Sequence, residues 1–345
     1  MTDFNLSRRT FVGAAAGAAG SVLLGSEAFA QSAGALRKVK VMSSLPTLTS
    51  AATYLAQARK FDQAHGLAME ILQTGGSSSL QIDGVISKNA DFGCPGSGTA
   101  LDAIREGADI KILGAFANNQ IAMVISNEQM KKSGVSASAP IADRIRALKG
   151  ATIATNPVGA TYYMMFRTIL KQYGLDPDKD VRLVGIQESS AMISGIQQGR
   201  FDAICSASGI VEQAIALKAG TVWFSGARGD FPGSDKNMVI VLIARTETCE
   251  KEPALVDAMR AAYGDALTAI NDNHAASGAL LKERYFPKFD PEVWKMVWEG
   301  AKAAYPRKMI FPRQAYDFWI ENDPKGAASF KNVDYKKIVF PAAMG

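Results

Sequence analysis

Shift the chain by 111 residues and its N-terminal half falls on its middle. Pro46 meets Pro157, Ser78 meets Ser189, Ser79 meets Ser190 and Gly84 meets Gly195. At the same offset and without a gap, Asp91 meets Asp202, Cys94 meets Cys205, Ser97 meets Ser208 and Gly98 meets Gly209. Apolar positions follow: Leu72 falls on Leu183, Ile82 on Ile193 and Val85 on Ile196. Self-similarity at one offset, carried in an ordered strand–turn–helix context, predicts two similar units rather than one undivided body. Each unit reads as alternating strand and helix. Lys38–Met42, Met69–Leu72, Asp91–Gly93 and Ile110–Gly114 read as strands, and Thr49–Ala64, Ser77–Ser87 and Thr99–Glu106 as helices. Such alternation predicts parallel sheets with helices on their faces.

Two further apolar segments, Gln120–Ser126 and Asn237–Ala244, flank the second repeat. The run Met238-Val239-Ile240-Val241-Leu242-Ile243-Ala244 is apolar throughout, as a strand covered on both faces should be. If these two strands carry the chain out and back, lobe 2 is residues 120–242, and lobe 1 is 36–119 completed by 243–345. Two crossing strands make a natural hinge. The remaining third is mainly helical: Pro253–Asn273 has apolar residues at helical intervals, and Pro291–Tyr305 opens with proline behind the cap candidate Asp290. Trp294, Trp298 and Trp319 are assigned to these helices as packing residues.

The N-terminus reads as an address. Ser7-Arg8-Arg9-Thr10-Phe11 precedes a short Ala/Gly-rich apolar stretch and then Ala28-Phe29-Ala30, the order of a bacterial secretory signal in residues 1–30. The paired arginines are similar to the twin-arginine type, although Gly13 stands where a basic residue is usual. No later segment approaches the ~18 uninterrupted apolar residues of a membrane span. A periplasmic location after cleavage near Ala30 is therefore expected.

Several chemistries find no support. The net charge of +5 comes from scattered Lys and Arg, not from a basic patch, so no nucleic-acid partner is expected. Three cysteines make no disulfide scaffold, and His65 and His274 have no cysteine near them, so no metal is expected. There is no Gly-x-Ser-x-Gly elbow, phosphate loop or dinucleotide fingerprint, and neither histidine has an evident nucleophile or acid partner. Neither an enzymatic role nor a cofactor is indicated.

Binding chemistry is better represented. In open parallel sheets, ligands sit beyond the carboxyl ends of the strands, where free N–H groups and helix dipoles favour an anionic head. In lobe 1 the candidates are Ser44, Leu45, Pro46 and Thr47, then Gly76, Ser77 and Ser78, then Cys94, Pro95, Gly96 and Ser97. In lobe 2 they are Asn156, Val158, Gly159, Ala160 and Thr161, then Gln187, Glu188 and Ser189, then Ser206. Arg228 is a candidate anion contact, and Tyr162 and Tyr163 candidates for stacking on a ring. Ser77, Ser78 and Ser189 have a simpler reading as helix caps. Cys94 and Cys205 have two readings: thiols that face each other and bond on closure, or small buried thiols, the commoner fate of a free cysteine.

Taken with the export signal, several ordered motifs carry a family resemblance. They are Gly75-Gly76-Ser77-Ser78, Asn89-Ala90-Asp91-Phe92-Gly93, Leu148-Lys149-Gly150-Ala151-Thr152-Ile153-Ala154, Gly174-Leu175-Asp176-Pro177 and Gln198-Gly199-Arg200-Phe201-Asp202-Ala203. Together they resemble the type II periplasmic solute-binding proteins of nitrate/sulfonate/taurine ABC importers. The resemblance implies two Rossmann-like α/β lobes joined by two crossing strands, closing on a small molecule and docking on an ABC permease in the cytoplasmic membrane. It also implies a monomer binding a small organic or inorganic anion, sulfonate- or carboxylate-like, in the cleft between the lobes. A ligand-binding sensor, or a pyrimidine or vitamin-precursor binder or enzyme of the same fold, are the alternatives. The cysteine cluster of the yeast-type thiamine-precursor synthases is absent, which counts against that enzymatic role.

Overall fold

The computed structural model describes residues 35–345 apart from 75–76, 159, 208, 233–236, 322 and 324. The expected export signal lies outside the described residues. One sheet contains β1 (Arg37–Ser43), β2 (Leu67–Gln73), β3 (Phe92–Gly93), β4 (Ile110–Asn118) and β10 (Met238–Arg245). The other contains β5 (Ile121–Ile125), β6 (Thr152–Thr155), β7 (Arg182–Gly185), β8 (Ala203–Ala207) and β9 (Thr221–Ser225). Around the first sheet lie α1 (Ala51–Ala58), α2 (Phe61–Ala64), α3 (Ser78–Ile86) and α4 (Ser97–Arg105). The second brings α5 (Asn127–Ser133), α6 (Ile141–Arg146), α7 (Thr161–Gln172), α8 (Ser189–Gln197) and α9 (Ile210–Ala216). The C-terminal third adds α10 (Thr246–Lys251), α11 (Pro253–Asp272), α12 (His274–Tyr285), α13 (Pro291–Ala301), α14 (Arg313–Glu321) and α15 (Tyr335–Ile338).

The repeat is visible in the topology. The strand orders are β2-β1-β3-β10-β4 and β7-β6-β8-β5-β9, the same path in both sheets. In each, the inserted strand is antiparallel to its two neighbours and has come from the other lobe: β10 in the first sheet, β5 in the second. The molecule thus consists of two α/β lobes joined by two crossing strands.

Several repeated residues have a physical reason for recurring. Asp91 Oδ2 accepts the Lys40 N–H at 2.8 Å while the Asp91 N–H donates to the Lys40 carbonyl at 3.0 Å. Asp202 does the same with Thr152, at 2.7 and 2.8 Å. Each aspartate therefore pins the loop before a strand to the strand beside it. Gly84 and Gly195 let helices α3 and α8 approach closely: a Cβ there would stand 2.0 Å from Met42 Sδ or 2.2 Å from a Phe201 ring carbon. Under the 111-residue shift, the bounds of α3 fall on those of α8.

The crossing strands are buried on both faces. Ile121, Met123 and Ile125 of β5 enter one core and Ala122 and Val124 the other, the period-2 alternation of a covered strand. Val239, Leu242 and Ala244 of β10 likewise separate from Val241 and Ile243. Burying each such aliphatic side chain contributes about 1.5–3 kcal/mol.

Three expectations change at local level. The helix read over Thr49–Ala64 divides into a 3-10 turn at Leu48–Ser50, α1 and α2, because Lys60 takes a left-handed φ of 58°. The helix expected over Pro291–Tyr305 closes earlier, in a 3-10 turn at Lys302–Ala304, while Asp290 caps it as read by accepting the Glu292 and Val293 N–H groups. Trp319 belongs to neither C-terminal helix of the sequence reading but to α14.

Candidate functional site

Chain direction sets the site. Because β10 is antiparallel to β3 and β4, its start pairs with the end of β4, Met238 opposite Asn118. Because β5 is antiparallel to β8 and β9, its start pairs with their ends, Ile121 opposite Ala207 and Ala122 opposite Ser225. Both crossings therefore enter the sheets at the edge where the parallel strands finish. The crossing points are amides: Asn119 and Gln120 separate β4 from β5, and Asn237 precedes β10. The Asn119 N–H donates to the Asn237 carbonyl at 2.6 Å, and Asn119 Oδ1 accepts the Ile121 N–H at 2.9 Å. All three amide residues are buried.

Of the residues read from the sequence, some are committed to structure. Thr47 caps the 3-10 turn and bonds Ser50 Oγ, whose hydroxyl donates to the Leu45 carbonyl at 3.0 Å. Ser44 offers its carbonyl to the Tyr54 hydroxyl at 2.7 Å, beside half-buried Pro46. Ser77 is the cap of α3, accepting the Leu80 N–H, and Ser78 Oγ accepts the Gly96 N–H at 3.0 Å, tying two site loops together. Cys94 turns into its own lobe, with Sγ 3.2 Å from the Tyr263 hydroxyl, and burial pushes the thiol up to about 11. Cys205 is buried in β8, where desolvation raises the thiol well above its ordinary value. All three cysteines are free, so the buried-thiol reading holds.

Others line the loops themselves. Pro95 accepts the Val241 N–H, and Gly96 bridges to Ile240, fixing the start of α4 against the returning strand. Ser206 Oγ donates to Asn156 Oδ1 at 2.9 Å, joining the ends of β6 and β8. Val158, at 79% exposure, and Leu45 stand in solvent at corresponding loops, and Gln187 and Glu188 are also exposed, with Glu188 preceding α8. Ala160 precedes α7, and Thr161 opens it. Gly76 and Gly159 lie outside the described residues, as do the side chains of Thr161 and Ser189. Arg228 is exposed and lies within electrostatic reach of Glu212, a half-buried acid whose pKa is raised by burial and which accepts the Gly209 N–H. The cation proposed for a ligand thus already has an acid of the protein nearby. His65 pairs with Asp265 at 2.8 Å, while both ring nitrogens of buried His274 face carbonyls, those of Ile270 and Trp298.

Three groups at this junction are fully buried yet meet no hydrogen-bond partner among the described residues: Ser97 Oγ, Thr155 Oγ1 and both amide atoms of Asn237. They sit at the first residue of α4, the last of β6 and the entry to β10. Ser97 was among the sequence candidates and Thr155 opens the loop read there from Thr155 to Thr161; Asn237 was not placed in the site, although an amide beside an apolar strand was readable.

The flanks of the junction differ. On one side the lobes touch, since a Cβ on Gly209 would lie 3.4 Å from Leu48 and 3.9 Å from Val297, while the Tyr305 hydroxyl donates to the Leu48 carbonyl at 2.7 Å. On the other side a cavity of about 700 Å³ opens between α4, α7 and α14. Gly98, Thr99 and Asn119 bring its wall to the junction, and Trp319 borders it. Loop-based reading missed the α7 and α14 contributions, because both come from helix faces.

At the far end of the cavity Arg105 pairs with Asp102 at 2.6 Å and Asp323 at 3.2 Å. Burial, then the neighbouring charge of Asp323, raise the Asp102 carboxyl from 3.8 to about 6. The folded chain therefore holds a proton that the unfolded chain loses between these values. The stability from this group is present in full below the lower value and is lost as pH rises through about 6. Urea unfolding across this window should show that decline, and Asp102→Asn should flatten it; an unchanged slope in the variant refutes the assignment.

The sequence pattern of the NMT1-like family matches residues 37–281. The chain belongs to the NMT1-like family. Among curated proteins, none matches this NMT1-like chain by sequence. Its fold is that of the periplasmic binding proteins. The periplasmic aliphatic sulphonate binding protein SsuA of Escherichia coli is similar at TM-score 0.67 and 16% identity, covering 89% of this chain and 98% of that one. The periplasmic nitrate-binding protein NrtA of Synechocystis PCC 6803 is similar at TM-score 0.60 and 16% identity, over 79% and 72%. A Candida albicans protein described as having the generic periplasmic binding protein fold is similar at TM-score 0.63 and 13% identity, over 90% and 98%. Among the described residues of the NMT1-like chain, no helix is long and apolar enough to cross a membrane, and no group of three or more His, Cys, Asp or Glu could hold a metal ion.

Proposed function

We propose that this protein is the extracytoplasmic solute-binding component of an ABC importer. It captures a small organic anion, sulfonate- or carboxylate-like, between its lobes, delivers it to a permease in the cytoplasmic membrane and performs no reaction on it. In this reading the export signal of residues 1–30 is removed, and a monomer divides into lobe 1 (36–119 with 238–345) and lobe 2 (120–237), the sequence boundary at 242 moving to 237 so that β10 stays whole in its sheet. The relatives named as sulphonate- and nitrate-binding proteins support the class.

One observation carries the site. Ser97 Oγ, Thr155 Oγ1 and the Asn237 amide are enclosed without partners among the described residues, where both crossings meet the strand ends. Such groups cost about 1–3 kcal/mol each when left unpaired, so a solute that accepts their hydrogen bonds recovers that energy. The start of α4 adds N–H groups and the positive end of a helix dipole. A solute that bridges both lobes favours the closed arrangement by its differential contacts with it, which supplies the signal to the permease.

A thermal-shift screen of small monoanions and heterocycles tests this. A true solute at about 100 times its dissociation constant adds ~2.7 kcal/mol of stability, and mass spectrometry should recover it unchanged. Stabilisation by pyrimidines alone supports the vitamin-precursor alternative, a converted solute an enzyme, and no stabilising solute defeats the reading.

A further inference from the structure

Building on that reading, we propose that the solute carries an apolar, ring-bearing body which lies in the cavity between α4, α7 and α14, with its charge confined to the end that meets the junction. About 700 Å³ is a volume suited to an organic molecule of many atoms and far more than an inorganic anion or a one-carbon sulfonate fills.

The wall is built for such a body. Met164, Met165, Thr168 and Ile169 form one face of α7 at helical spacing toward the cavity. Methionine thioethers adapt to irregular shapes and contact aromatic rings favourably. Opposite them stands Trp319, whose indole fits against α4 because residue 98 is glycine: a Cβ there would lie 3.0 Å from two ring carbons. The indole is held in place by its Nε1–H, which donates to the Met238 carbonyl at 2.8 Å. Phe330 completes the apolar lining, with the Arg105 guanidinium 4.8 Å from its ring centre.

The charge is one-sided. The ionised side chains lining the cavity are the acids Asp102, Glu321 and Asp323, with no lysine, arginine or histidine among the described lining residues. Arg105, just behind, is engaged by Asp102 and Asp323. A second anionic group at the far end of the solute therefore meets three acids, while the cations near it, Arg105 and Lys325, are already engaged by Asp102, Asp323 and Glu106. At the near end the cavity wall adjoins the junction: Gly98 and Thr99 follow Ser97, and Asn119 is bonded to Asn237. A single solute thus spans both places, head at the buried hydroxyls and ring against Trp319 and Met165.

Isothermal titration calorimetry on the mature protein with head-matched pairs tests this: 4-toluenesulfonate against methanesulfonate, and 4-methylbenzoate against acetate, with 4-sulfobenzoate as the dianion. Within at least one pair the aryl member should bind about tenfold tighter or better, from apolar burial, and 4-sulfobenzoate should lose that advantage. Thr168→Trp, which fills the cavity from α7, should bring the aryl-to-alkyl ratio close to one; Trp319→Leu should lower it, as a second variant should the first fold poorly. Equal affinities within both pairs, an undiminished dianion, a ratio unmoved by both variants, or binding by neither aryl member each overturn the inference. If the thermal-shift screen still yields other solutes, the transport reading survives that failure; if nothing binds at all, both fall.

Discussion

Replacing Trp298 by alanine should cost about 3–5 kcal/mol of folding stability, the range for removing a large buried aromatic side chain. The indole is 2% exposed and stacked between His274, at 4.7 Å and 14°, and Trp294, at 5.8 Å and 10°. Its Nε1–H donates to the His274 carbonyl at 2.8 Å, and its own carbonyl faces His274 Nε2. Gly278 admits the ring, since a Cβ there would approach within 2.4 Å of it. The change reaches the lobes as well, because Trp298 also packs on Tyr305, which holds the Leu48 carbonyl, and its neighbour Val297 stands near Gly209. Urea unfolding measures the loss directly. A cost below about 1 kcal/mol would mean that the stack is ornamental and that α13 is held by other contacts.

The Ser97→Ala, Thr155→Val double variant should fold more stably and bind its solute far more weakly. Each substitution removes a buried hydroxyl that has no partner among the described residues and leaves the shape almost unchanged, so the folded protein gains about 1 kcal/mol per site. If those hydroxyls donate to the solute head, affinity should fall by about tenfold for each bond lost, or about 100-fold together. Chemical denaturation of the free protein and calorimetry with a solute from the thermal-shift screen give the two numbers. The opposed signs are the diagnostic: a purely structural hydroxyl would lower stability when removed and leave affinity alone, and that result would move the site away from this junction.

Much of the architecture was legible because it rests on local rules. An unbroken apolar run marked β10 as a strand covered on both faces, the 111-residue repeat anticipated two similar α/β lobes, and Asp290 and Ser77 cap helices as their positions suggested. The site was legible only as a set of loops. Ser77, Ser78 and Cys94 lie in loops at the strand ends, but their polar atoms serve a cap, a loop tie and a core contact. Nothing in a loop's composition says which way its side chains turn once the next segment packs against it.

Periodicity, caps and the repeat belong to residues a few positions apart, where backbone geometry alone sets which face is apolar; from these the chain's two-lobed α/β character followed without coordinates. The cavity has a different origin. It exists because Gly98, Met165 and Trp319, far apart in the chain, are brought together by the antiparallel entry of β5 and β10 and by the return of α14 over α4. Contacts between distant segments depend on the packing of the whole molecule, so the shape and charge of that space were decided only in three dimensions.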